Sequence, residues 1–473
     1  VSSIKKPEQQ QSIDLVLCSL LAFITPFKYF DLLGYSLGFP FEIRRTIEVL
    51  CIARLIWIVA FNSNYFNKII SKSIFVTLFI IITYALILTL IQPDIVLSIR
   101  NINASEVYDL IFRRGVKYIA YVFIIIYFSI ALKTKKSVHL IISWLIAGFC
   151  IAEVLGLVQL VLFQITGTNL FPLVRLRSDT RWQDIAVVNI AGSQVLRVNS
   201  IANEPKALGV LLSCLLIFKF YWQGYRYELE SKISRLLNLY MNKTFLLTPI
   251  IIALTFSWSG IVSLFSAVVL IALNYFYFKD KIILYCRNFM LNTKFLIIFI
   301  SLVFLILNAE SISAFAEVFL ERRGSDIAED RITLEKLYNF LDPEDGAVLY
   351  NIYNNPDLLL SGLGFGAYSN LSIDFVTLYY GFKEKIASPF STNILIETIF
   401  SVGVPGLLLL LSFYKKISKT LIQYQNNFFT FIIINNIIVI NFLVRTHERT
   451  FFVVLGILLS IYIIETRKSS FTI

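Results

Sequence analysis

Apolar runs of roughly 18 or more residues, long enough to span a bilayer, recur along the whole chain and are separated by polar segments. The runs are continuously apolar. They do not alternate as lipid-facing barrel strands do, so the pattern predicts helices. By length, about twelve membrane spans are expected. They fall at residues 12–32, 43–62, 73–94, 115–132, 139–163, 203–222, 244–256, 258–278, 294–309, 390–413, 426–443 and 450–465. The seventh and eighth share one apolar stretch broken by Ser257-Trp-Ser-Gly260, and reading them as one kinked span would change the parity of everything after them. Two connections are long, residues 164–202 and 310–389. Within the second, residues 314–341 read as amphipathic helix with a break near Gly324. The expected fold class is all-α: one polytopic transmembrane helical domain over residues 1–473, with short helices in its second long loop.

Composition strengthens this picture. Hydrophobic residues make up 57% of the 473, the mean hydropathy is +0.74, and charged residues are 15%, against about a quarter in an ordinary globular domain. The formal charge of +11 does not call for nucleic acid, because basic residues on membrane proteins orient loops and meet lipid phosphates. The five cysteines, Cys18, Cys51, Cys150, Cys214 and Cys286, are scattered, with no metal-ligand spacing and no disulfide framework. The polar N-terminus leads into the first apolar run without a small-residue cleavage site, so that run is read as an uncleaved span.

Charge distribution adds an orientation. With the N-terminus in the cytoplasm, most lysines fall on the inner side, including Lys68, Lys72, Lys133, Lys135, Lys136, Lys415, Lys416 and Lys419. Most arginines fall on the outer side or within spans. Lysine suits a hydrated orienting charge, whereas the planar fork of arginine suits phosphate and carboxylate. An arginine-rich outer face therefore points to an anionic ligand. The plainer alternative is pairing with outer-loop acids and lipid headgroups. The first long loop carries Arg175, Arg177, Arg181 and Arg197; the second carries Arg322, Arg323 and Arg331.

Four stretches could carry chemistry. In Arg197-Val-Asn-Ser-Ile-Ala-Asn-Glu-Pro-Lys-Ala-Leu-Gly209 the sixth span begins at the outer face. Asn203 or Glu204 can cap it, and Pro205 fits a first turn that needs no N–H. The N-terminal amides and the positive dipole end favour an anion. Arg197 lies just upstream, and Glu204 could accept a proton from an attacking hydroxyl. An ordinary capped helix with an Arg–Glu pair is the alternative. Gly362-Leu-Gly-Phe-Gly366 lacks the strand–turn–helix surroundings of a nucleotide loop and reads as a tight turn. Asn393 can cap the span that follows, and Glu397 lies about one turn into it; pairing with a neighbouring arginine is its plainer role. The short Arg445-Thr-His-Glu-Arg449 connection puts His447 on the outer face, as a proton handler or simply a charged loop tip.

The order of these features resembles the O-antigen polymerase and ligase superfamily, the membrane glycan polymerases of the Wzy type. The matching parts are Arg197 with Glu204-Pro205, Ser257-Trp-Ser-Gly260, Arg322, Arg323 and Arg331 near a long outer loop, Gly362-x-Gly-x-Gly366, and the Asn393, Glu397, Gly403 to Gly406 span. The resemblance covers roughly residues 100–465. It implies a GT-C-like helical fold and metal-independent glycosyl transfer at the periplasmic face of the bacterial inner membrane, with no cofactor. The implied donor is an undecaprenyl-diphosphate-linked oligosaccharide. The implied acceptor is another lipid-linked repeat unit in a polymerase, or lipid A–core in a ligase; a chain-length regulator is a further implied partner. Arg197, Arg331 and Glu204 are then the expected catalytic residues. Arg175, Arg177, Arg181, Arg322 and Arg323 are expected on the donor diphosphate, with Asn393, Glu397, His447 and Arg445 as secondary candidates. Thr392-Asn393 stands where ligase-like members carry His-Asn, which argues against ligase. Trp258 stands where the family usually has arginine. A flippase of lipid-linked oligosaccharides is the non-enzymatic alternative, disfavoured by two long arginine-bearing outer loops.

Overall fold

The computed structural model describes residues 7–27, 43–61, 73–91, 104–172, 174–176, 182–184, 186–190, 193–202, 204–225, 236–237, 239–241, 244–277, 356–362, 364, 394–423 and 448–469. These residues are mostly helical. The helices are α1 (Pro7–Ile24), α2 (Ile43–Phe61), α3 (Ser73–Ile91), α4 (Ala104–Ala131), α5 (Lys135–Thr166), α6 (Pro205–Tyr225), α7 (Leu247–Leu254), α8 (Trp258–Tyr277), α9 (Leu358–Ser361), α10 (Ile394–Gln423) and α11 (Glu448–Ser469). Each expected span that falls among them coincides with a helix. The spans expected at 294–309 and 426–443 lie outside the described residues, as does nearly all of the second long loop.

Two departures from the sequence reading stand out. The first long loop is not irregular: it folds into two antiparallel hairpins, β1 (Val174–Leu176) with β2 (Trp182–Asp184), and β3 (Val187–Ile190) with β4 (Ser193–Leu196). Val188 pairs with Val195 and Val187 with Leu196. Such β-branched and apolar residues fit a half-buried pleated surface, so the fold is helical with a small β element and not purely all-α. In addition, α7 has only eight residues, about 12 Å at 1.5 Å per residue. It is too short to cross a hydrocarbon core of about 30 Å on its own. The chain turns at Thr255, with Phe256 at φ 44°, before α8 starts at Trp258.

Helix ends follow local chemistry. Thr134 caps α5: its Oγ1 accepts the Ser137 N–H at 3.1 Å while Ser137 Oγ accepts the Thr134 N–H at 3.2 Å, a reciprocal capping pair. Gly167, at φ +67°, ends the same helix in the left-handed conformation that closes its last carbonyls.

The described chain divides into two compact units, and the division falls within α5, between Leu145 and Ile146. In the first unit α4 packs along α11, α3 along α10, and α1 and α2 against each other and α4. Tyr127 and Phe128 of α4 are fully buried, and Tyr121 stacks on Phe452 with ring centroids 4.5 Å apart. Asp14 of α1 accepts hydrogen bonds from Arg54 Nε at 2.8 Å and the Tyr127 hydroxyl at 3.1 Å, joining three helices through one carboxylate. The turn at Gly362 packs closely on α10. A Cβ on Gly362 would lie 2.6 Å from the Gly403 nitrogen, and one on Gly403 would lie 2.6 Å from the Leu360 carbonyl oxygen. Gly403, at φ 65° and ψ −177°, breaks α10 in two just ahead of Pro405.

In the second unit α6 packs against α7 and α8. The crossing of α6 and α8 is a backbone contact: a Cβ on Gly209 would lie 2.6 Å from the Gly260 Cα, and Thr255 Oγ1 lies 3.0 Å from a Cβ on Gly260. The Ser257-Trp-Ser-Gly260 motif therefore serves packing and turn formation, with Ser257 buried. Among the described residues one helix, α5, is long and apolar enough to cross a membrane, and shorter apolar helices lie at Ser12–Ile24, Phe75–Leu88, Ile119–Ala131, Gly260–Ile271 and Thr450–Thr466. Replacing Gly209 with leucine should separate α6 from α8 at a cost of about 1–3 kcal/mol or more, as overpacking does. The measurement is thermal unfolding of the purified chain, where Gly209→Ala should lie between Gly209→Leu and wild type.

Candidate functional site

The Arg197–Glu204 stretch is built from the face of α5 upward. Four successive N–H groups lead into it, and three acceptors hold them. Arg197 donates to the Ala186 carbonyl at 2.7 Å and Val198 to the Leu254 carbonyl at 3.0 Å. Asn199 and Ser200 both donate to Gln159 Oε1, at 3.2 and 2.8 Å. Ser200 Oγ donates to the Ala152 carbonyl at 2.7 Å. Gly156 leaves room on α5 for Val198, whose Cγ1 would lie 3.2 Å from a Cβ there. Phe163, Ala186, Leu196 and Val187 form the apolar contact that seats the second hairpin on the same helix. A buried 3-10 turn, Ser200–Ala202, then delivers the chain to α6.

As the sequence predicts, α6 begins at Pro205, with Glu204 just ahead of it. The Leu208 N–H closes the first turn on the Glu204 carbonyl at 3.1 Å. Pro205 has no N–H, so Lys206 and Ala207 carry the backbone donors ahead of that first intrahelical bond. The Glu204 side chain is about a quarter exposed at 24%, and its Oε2 lies 4.0 Å from Lys206 Nζ, itself 38% exposed. Reading the sequence for arginine overlooked Lys206, although it stands within the same motif. The arrangement presents a partly exposed carboxylate, a cation and two amide donors at one helix end, which can hold an anion and take up a proton.

Of the other candidates, Arg175 sits in β1 opposite Gln183, and Glu397 in the first turn of α10. Arg177, Arg181, Arg322, Arg323, Arg331, Asn393, Arg445 and His447 lie outside the described residues. Among the described residues no group of three or more His, Cys, Asp or Glu comes together in a way that would hold a metal ion. Cys18, Cys51, Cys150 and Cys214 are buried and form no disulfide.

Farther along α6 is a second polar cluster that sequence reading missed. Lys219 and Glu153 form an ion pair at 2.6 Å with both side chains wholly out of solvent. Lys219 Nζ also donates to the Thr244 carbonyl at 2.7 Å and to Thr244 Oγ1 at 2.9 Å, which uses its three donors. Glu153 accepts further bonds from the hydroxyls of Tyr240 and Thr248. Burial and the Glu153 carboxylate push the Tyr240 phenol up, so it stays protonated and donates. Sequence reading counted Lys219 only among the inner-side lysines near span ends and gave Glu153 no role. The signal available was two ionisable residues of opposite sign within neighbouring apolar runs.

No family model, no curated protein and no solved structure matches the chain.

Breaking the Glu153–Lys219 pair from one side leaves an uncompensated charge. Lys219→Met should destabilise the fold by about 3–5 kcal/mol, while Glu153→Gln combined with Lys219→Met should recover much of that loss. Unfolding midpoints of the two variants and wild type in one detergent check this.

Proposed function

We propose that the chain is a multi-pass membrane glycosyltransferase that polymerises lipid-linked oligosaccharide repeat units, acting at the periplasmic face of a bacterial inner membrane. Support for the membrane comes from the inverted faces of α5. Its apolar Val154, Leu157, Val158, Val161, Leu162 and Ile165 are exposed, at helical spacing, while Glu153 and Gln159 on the other side are buried. A water-soluble helix has the opposite arrangement. In hydrocarbon, apolar side chains meet lipid and polar ones turn inward.

The observation that carries the glycosyl-transfer reading is the fixed turn that joins Arg197 to Glu204 at the start of an apolar helix. The donor is a polyprenyl-diphosphate-linked glycan. The acceptor hydroxyl attacks the anomeric carbon of the donor sugar, forming the new glycosidic C–O bond as the bond to the diphosphate oxygen breaks. Glu204 takes the hydroxyl proton. Arg197, with Arg331 and the loop arginines, neutralises the charge that grows on the leaving diphosphate. Apolar helix faces hold the polyprenyl tails. The order of motifs, Arg197 through Gly406, supports a polymerase over a flippase, and Thr392 in place of histidine supports a polymerase over a ligase.

Arg197→Lys keeps the charge and loses the fork, and Glu204→Gln removes the base. Each should lower chain extension by about 10²-fold, the scale of losing one transition-state donor or a general base. Purified protein in liposomes without a membrane potential, given lipid-linked repeat units, provides the assay. Wild-type activity in both variants, or movement of the substrate across the bilayer without extension, would overturn the assignment.

A further inference from the structure

Gln159 is a fully employed side chain in an apolar helix. Its Oε1 accepts two successive backbone N–H groups, those of Asn199 and Ser200, and its Nε2 donates to Asn169 Oδ1 at 2.6 Å and Asn199 Oδ1 at 2.5 Å. That uses both donors and both lone pairs of the amide. The two asparagines are oriented in turn: Asn199 Nδ2 donates to the Phe171 carbonyl at 2.9 Å, and Asn169 Oδ1 accepts the Phe171 N–H at 3.0 Å. Gln159, Asn199 and Ser200 are buried to the last percent. Ser200 is also held at φ 48°, a left-handed conformation that a non-glycine residue adopts only where its surroundings impose it.

A buried turn held by its own residues would not need a side chain from another helix. Here the strained residue is bound twice by α5, through its N–H to Gln159 and its hydroxyl to the Ala152 carbonyl. It stands three residues after Arg197 and four before Glu204. A shift of the turn would move both ends of the motif relative to each other. We infer that Gln159 is a positioning residue for the Arg197–Glu204 site: it acts from α5 through the backbone of Asn199 and Ser200 to hold the arginine and the carboxylate in one working arrangement. This rests on the reading of that stretch as the donor site. Its first consequence, that Gln159 orders the turn, does not.

Two variants separate the roles. Gln159→Leu keeps approximate volume and removes every hydrogen bond; Gln159→Glu keeps the acceptor for the two N–H groups. The full chain in detergent is followed by amide hydrogen exchange over residues 197–202 and by kcat and KM for chain extension of lipid-linked repeat units. In Gln159→Leu, exchange at Asn199 and Ser200 should accelerate at least about tenfold. kcat should fall by about tenfold or more, with KM for the donor changed less than about threefold, the mark of misplacement and not of lost binding. Gln159→Glu, which keeps an acceptor for the two N–H groups but loses the Nε2 donor to Asn169 and Asn199, should lie between wild type and Gln159→Leu in both exchange and kcat. Where Gln159→Leu does not fold, Asn169→Ala at the rim of the network carries the same test, with smaller changes in the same direction. Unchanged exchange, or fast exchange with kcat intact, overturns the positioning role alone. A wild-type chain that extends no glycan overturns the donor-site reading and the positioning role with it, and the exchange data then report only whether Gln159 holds the turn.

Discussion

A carboxylate taken out of water must be surrounded by donors, and Glu153 sets that requirement for the second unit. Desolvating an ion in a low-dielectric interior costs several kcal/mol even after relaxation. The cost is offset only when a counter-charge and further hydrogen bonds complete the shell. Lys219 provides the charge; Tyr240 and Thr248 complete the shell. These groups come from α6, from the segment after it and from α7. Three consecutive pieces of chain, 66 to 95 residues on from Glu153, therefore have to arrive at one point on α5. The pair fixes which face of α6 looks at α5, and through α6 it fixes where the glycine at 209 meets the glycine at 260.

Packing then follows at the shortest distances the backbone allows. On the proposed membrane reading, apolar helices in lipid have little hydrophobic drive to associate, so close van der Waals contact and interhelical hydrogen bonds carry the burden. Gly209 against Gly260 does this in the second unit. In the first unit, Gly456 makes room for Phe128, and Gly362 and Gly403 bring two backbones together. At Gly403 the price of the close approach is a broken helix, because the positive φ that lets it fit the Leu360 carbonyl cannot continue α10. Pro405, which also lacks an N–H, sits where the helix has already been interrupted.

The helices were legible because hydropathy integrates over many residues. Continuous apolar runs located α1 through α6, α8, α10 and α11 to within a few residues at most ends, and α6 began at the Pro205 that its motif announces. The hairpins were not legible. Their strands are three or four residues long, below the length at which alternation separates from noise, and Phe163, near the end of α5, is what gives β3 and β4 a surface to cover. Inside the candidate site the sequence supplied Glu204 and Arg197 and missed Lys206, Gln159 and Asn199. Amides carry no charge, and a glutamine among apolar residues gives hydropathy little to register. Its importance comes from two N–H groups forty residues away, a relation that only the fold creates.

That relation places rigidity and exposure in a definite order along the site. Residues 198–202 are buried, and the N–H groups of Val198, Asn199 and Ser200 are satisfied by α7 and by Gln159 of α5. Two residues later the chain emerges, and Glu204 and Lys206 are partly exposed. A reacting group needs solvent or substrate on one side and an unyielding support on the other. Here the support is the polar core of the second unit. The strain at Ser200 shows that the core, and not the local preference of the turn, decides its shape. The exposed end of α6 can therefore present its carboxylate, its lysine and its two leading amides in a fixed arrangement without itself being buried.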